Sequence, residues 1–228
     1  MSVQDGGQGG GASSCCGVFV GILAVVGTVI SVTVSLVLSI TEVIQLTQLI
    51  LSLSAAVMSL FTAVHLCRLR RSSDTNTSSS QHSVLLDLLL LASVTSVVAM
   101  ASFDAVAAHH ARQQTTLVVS VMVIVQSVLQ TGTVAVGLRR HHRRVWTRGR
   151  CSWHQTVALL MACNVAMWLI EVVRCAGLTA HSSHAVAVYT ELTYHSIMHV
   201  CAPVAVFHRF ITVVCLLVTW KQAAITQL

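Results

Sequence analysis

The chain has 228 residues, 55% of them hydrophobic and 9% charged, with a formal net charge of +6 and a mean hydropathy of +0.80. A water-soluble domain carries about 25% charged residues. This composition therefore excludes an ordinary soluble enzyme, a disordered chain and, despite a pI near 9.1, a basic nucleic-acid binder. Short basic clusters between long apolar runs are the pattern of a multi-pass membrane protein.

Residues 1–16, with their GGQGGGASS stretch, hold no Lys or Arg and so lack the basic start of a secretory leader. They are expected to form a flexible cytoplasmic tail, with the first span retained. A helix needs about 20 apolar residues to cross a ~30 Å hydrocarbon core, and residues 17–67 run without Lys or Arg, enough for two spans. The polar cluster Ser39, Thr41, Glu42 and Gln45 predicts the turn between them. Spans are expected near 18–39, 44–67, 84–107, 116–138, 155–176 and 196–219, inside a membrane domain over 17–222 with a short cytoplasmic tail at 223–228. β-Branched residues are abundant, but a spanning strand needs only about 9–11 residues of alternating polarity, and no such alternation occurs. Lipid also demands that backbone groups be paired within their own segment. The expected fold is all-α: a polytopic bundle of six transmembrane helices.

Of the thirteen Lys and Arg residues, all but Arg112, Arg174 and Arg209 fall after spans 2, 4 and 6. The positive-inside rule assigns that side, and hence both termini, to the cytoplasm. The Asn76-Thr77-Ser78 sequon then lies inside and stays unmodified. The block RRHHRRVWTRGR reads as a topology signal, with contact to anionic lipid as the alternative, and not as a nucleic-acid site. The eight cysteines are scattered along the chain without metal-ligand spacing or extracellular pairing. Most are small apolar fillers, and Cys15-Cys16 beside the first span is a palmitoylation candidate.

A charge at the bilayer centre costs at least about 2.5–3.5 kcal/mol, so mid-span polar residues are where function is sought. Gln126 sits mid-way along span 4 with Gln130 one turn on, Asn164 mid-way along span 5, and His208 and Arg209 mid-way along span 6. Gln126, Asn164 and His208 reach one depth, and each both donates and accepts hydrogen bonds, as a proton relay or polar gate requires. The competing reading is that Gln and Asn only pin helices together, at about 0.6–2 kcal/mol each. Glu42, Glu171, Asp104, His109 and His110 lie towards the outer face, as solvated charges or as acid sensors. Asp87, near the start of span 3, suits a helix N-terminus. His195 and His199 share a helix face, which keeps a haem- or metal-binding redox protein open as an alternative, but no second His pair lies at matching depth. No cofactor is expected.

MACNVAMWLIEVVR followed by CAPVAVFHRFITVVCLLVTWK resembles the closing segments of otopetrin proton channels, through Asn164, Trp168, Pro203, Phe207, Arg209, Phe210 and Trp220. SVMVIVQSVLQTGTVAVGLRR is similar to the family's Gln-x-x-x-Gln-Thr helix, and SVLLDLLLLASVTS to the Asp-x-x-Leu-Leu helix before it. Otopetrins have twelve spans in two six-helix halves and work as dimers, and the resemblance is to the second half. It implies a proton-selective channel that admits protons under extracellular acid, not an enzyme. It further implies dimer-like pairing of halves or a separate N-terminal half, and a location in the cell membrane. Gln126 and Asn164 match two members of the family's Gln–Asn–Tyr constellation, whereas His208 stands where the tyrosine is expected and Ile211-Thr212 replace a His-Ser pair. On this reading Gln126, Asn164 and His208 relay or gate, Arg209 and Gln130 orient them, and Glu42, Asp104, Glu171 and His199 are outer acid-sensing candidates. The structural alternative is a non-conducting six-helix subunit or a truncated product.

Overall fold

The computed structural model describes residues 10–38, 41–70, 81–139, 150–176 and 183–225. Its helices are α1 (Gly10–Leu38), α2 (Thr41–Arg70), α3 (Gln81–His110), α4 (Gln114–Arg139), α5 (Arg150–Cys175), α6 (Ser183–Tyr189) and α7 (Glu191–Ile225). All except α6 are long and apolar enough to cross a membrane. The all-α, six-span fold is therefore as expected, and no strand occurs among the described residues.

The differences are local. α1 begins at Gly10, inside the segment expected to be a tail. Glu42 and Gln45 belong to α2 and not to a turn, since a carboxylate in the first helical turn complements the exposed amide dipoles. The last helix starts at Glu191 and continues through Pro203. Proline there removes one amide donor, a loss that packed neighbouring helices make tolerable in lipid. The Asn76 sequon, the basic block at 140–148 and His181 lie outside the described residues, as do the side chains of Cys15, Cys16 and Cys151.

Many hydroxyls in the spans satisfy themselves locally. Thr28 bonds to the Ala24 carbonyl, Thr47 to Val43, Thr62 to Met58 and Thr212 to His208, each at 2.7–2.8 Å. Such back-bonding lets Ser and Thr ride in lipid without an open donor. α3 closes in a Schellman arrangement. The Gln113 amide bonds to the Ala108 carbonyl (2.9 Å) and that of Arg112 to His109 (3.2 Å), with Arg112 itself left-handed at φ 56°. Thr190, between α6 and α7, is also left-handed at φ 65°.

α2, α4, α3, α7 and α5 pack in that order into a closed ring, and α1 lies outside it against α5 and α2. α6 folds across the end of α3, where the Tyr189 hydroxyl donates to the Phe103 carbonyl (3.2 Å) and the two rings meet edge to face. The largest apolar cluster centres on α5, with Val157, Leu160, Cys163, Ala166, Met167 and Ile170 meeting α1, α2, α3, α4 and α7. A second cluster joins Val97, Met100 and Ala101 of α3 to Val119 and Val123 of α4 and to Ala202 and Ala205 of α7. Small residues at these contacts let the helices approach closely, which is how association is driven where lipid is as apolar as the side chains. Between α1 and α5 the approach is tightest: a Cβ on Gly21 would fall 2.8 Å from that of Ala162.

Candidate functional site

The polar residues inside the ring form two connected regions. At the end where α3 turns into α4, a cavity is lined by Gln45 and Gln48 of α2, Asp104 of α3, Thr116 and Ser120 of α4, and Glu171 and Arg174 of α5. About 30 Å³ of it is accessible to water, above the ~10–15 Å³ that one water needs. Arg174 donates to the Asp104 carboxylate at 3.2 Å. Glu171, buried one helical turn before Arg174, lines the same cavity. Gln45 donates to Thr116 (3.1 Å), whose hydroxyl lies 3.2 Å from the Gln113 side-chain carbonyl.

Ten residues further along α4, about 15 Å at the helical rise and so near mid-membrane, lies the second region. Arg209, 1% exposed, donates from Nη1 to Oε1 of Gln126 at 2.9 Å. Gln126 in turn donates through Nε2 to Oε1 of Gln130, and Ser127 donates to Gln126 Oε1 at 3.3 Å. One hydrogen-bonded chain thus ties α7 to α4. His208, the residue before Arg209, points elsewhere: its Nδ1 is 3.0 Å from the Ser93 hydroxyl of α3, which also reaches the Leu90 carbonyl at 3.0 Å. When that hydroxyl donates to Leu90, Nδ1 carries the ring proton and Nε2 accepts. When the hydroxyl rotates to donate to the ring, the tautomer reverses. Asn164, fully buried on α5, donates from Nδ2 to its own helix at the Leu160 carbonyl (2.7 Å).

Several buried polar atoms here have no protein partner: Gln130 Nε2, Asn164 Oδ1 and Arg209 Nε at mid-depth, and Gln48 Oε1 and Ser59 Oγ on α2. Buried polar groups are almost always satisfied, by water where not by protein. Donors and acceptors left open inside the ring are groups that water can satisfy. No cluster of three or more metal-ligand side chains occurs among the described residues.

The expected residues therefore divide. Gln126, Gln130 and Arg209 are joined directly, while His208 and Asn164 are buried in the same ring on other partners. Asp104 and Glu171 line the cavity. Glu42 and His199 are exposed and lie outside its lining. Sequence reasoning missed Ser93, the pairing of Asp104 with Arg174, and the buried stripe Gln48, Ser52, Ser59 and Thr62 on α2. The helical spacing of that stripe was the available signal.

A family model described as Otopetrin matches residues 9–210. Over 219 aligned residues the chain is 26% identical to a protein of Drosophila melanogaster described as Proton channel OtopLc, an alignment covering 91% of this chain. The chain spans only 13% of that relative's length.

Proposed function

The chain belongs to the otopetrin family, a family of channels and not of enzymes, and from that premise we propose that this multi-pass membrane protein passes protons across the bilayer. The observation that carries the reading is the buried Arg209–Gln126–Gln130 chain at mid-depth, with open hydrogen-bonding atoms on Gln130, Asn164 and Arg209 around it. Side chains that both donate and accept hydrogen bonds can pass protons along water held between them. The fixed guanidinium of Arg209 adds an electrostatic barrier to other cations, as positive groups do in selective pores.

Gln126, Asn164 and His208 relay or gate the proton. Arg209 and Gln130 hold Gln126 in place, and the Ser93–His208 contact supplies a tautomer switch. The cavity faces outward and both termini face the cytoplasm, a reading that the arginine distribution supports. External acid drives protons inward past Asp104 and Glu171, with Glu42 and His199 as further sensors at the surface. The working unit pairs two six-helix bodies in the cell membrane, from two copies of this chain or with a partner half.

The test is whole-cell current in sodium-free solution as external pH falls. Inward current whose reversal potential follows the proton gradient, and which is lost in Gln126→Ala and Asn164→Ala, is the expected result. Full current in both variants would overturn the relay. No current from a surface-expressed chain would favour a subunit that conducts only with its partner.

A further inference from the structure

The buried polar stripe on α2 has no role in the relay just described, yet it is placed to extend it. Gln45, Gln48, Ser52, Ser59 and Thr62 recur at helical spacing, and Gln48, Ser52, Ser59 and Thr62 are buried at 4%, 0%, 0% and 3% exposure. From Gln45 to Thr62 the stripe runs about 25 Å, most of the hydrocarbon thickness. α4 runs parallel beside it, and two contacts fix their register. Gln45 bonds to Thr116 near the cavity, and towards the other end the Thr133 hydroxyl, which donates to Leu129 of its own helix (2.8 Å), also lies 3.3 Å from the Ser59 backbone carbonyl. Between those points α4 contributes Ser120, Gln126 and Gln130.

The second observation is what remains open along this seam. Gln48 lines the cavity with its Oε1 unpartnered. Ser59 Oγ and Gln130 Nε2, both within 1% of complete burial, are also unpartnered. Two acceptor-capable oxygens and an amide donor thus lie open along one helix pair that starts at a cavity with room for water. Water alone both donates and accepts at such spacing.

We propose that α2 and α4 enclose a file of water leading from the cavity past Gln126 to the far end of the bundle, with Gln48, Ser52, Ser59, Gln130 and Thr133 as its wall. The file itself follows from the seam. That it carries protons rests on the function proposed above. Ser59 and Thr133 are then positioning residues that hold water beyond the mid-membrane chain.

The experiment keeps the two apart. The full chain in proteoliposomes carries cysteine at Ser52 or Ser59, or at the exposed α2 controls Val57 and Leu60. Brief X-ray radiolysis turns bound water into hydroxyl radical in place, and site-resolved mass spectrometry reads thiol oxidation. Oxidation at positions 52 and 59 should exceed that at 57 and 60 by at least about tenfold, since thiol oxidation follows access to the oxidant. Equal rates overturn the file whatever the flux. In parallel, Thr133→Val should lower proton flux several-fold and Thr133→Ser restore it. Fast oxidation with flux unchanged in Thr133→Val overturns the seam as conduit. Fast oxidation with no flux in any variant keeps the file and removes the proton-channel reading instead.

Discussion

The Arg209 guanidinium donates to the side-chain carbonyl of Gln126 at 2.9 Å, with both residues sealed from the bundle surface. A cation in the middle of the membrane is thus held by a neutral amide. Full charge pairing would fix it more tightly, whereas an amide leaves the positive field available to the path beside it.

Removing that amide should show first in stability. Gln126→Leu strands a buried cation and is expected to cost about 2–3 kcal/mol, read as a lowered unfolding midpoint in detergent. Gln126→Glu keeps an acceptor and adds a counter-charge, so it should recover most of that loss. Equal loss in both variants would mean that the bond contributes little.

The Asp104–Arg174 pair is more open, with side chains 16% and 32% exposed. A double-mutant cycle with Asp104→Asn and Arg174→Met should give a coupling of about 1 kcal/mol. Added salt should reduce it, because the cavity beside the pair admits water.

Gly21 and Gly27 make a matched pair on α1. A Cβ at Gly21 meets Ala162 at 2.8 Å, whereas one at Gly27 meets nothing within 4 Å. Gly21→Ala should destabilise by about 1–3 kcal/mol through overpacking. Gly27→Ala should be neutral or up to about 1 kcal/mol stabilising through helix propensity. Thermal unfolding of the two variants side by side decides it.

Arg112 pays the steric cost of a left-handed backbone at the end of α3. Arg112→Gly should stabilise by about 1 kcal/mol, since only glycine adopts that conformation freely. Arg112→Val should do the reverse. Unfolding midpoints check both.

The helices were legible because their signal is length: runs such as 84–107 and 116–138 are long, apolar and bounded by charge. Which face of each helix turns inward was not. Leu46, Ile50, Leu53, Val57 and Leu60 are exposed on α2, so the outward face is as apolar as the inward one and the usual amphipathic period is blurred. For that reason Arg209 could be placed mid-span without Gln126 being identified as its partner, and Ser93 was not seen as the partner of His208, 115 residues away. The α2 stripe was overlooked because its first member, Gln45, was read as part of a turn.

The position of α1 has a consequence for biogenesis. It touches α5 and α2 but none of the other ring helices, and its tightest contact, Gly21 with Ala162, joins residues far apart in sequence. During synthesis α1 precedes α5, so the surface it fits is not made until α5 has emerged. Until then it waits in lipid beside α2, as independently stable helices do before they associate. A helix made before the ring is therefore among the last of these six to dock, and it closes over a ring that the later helices have already built.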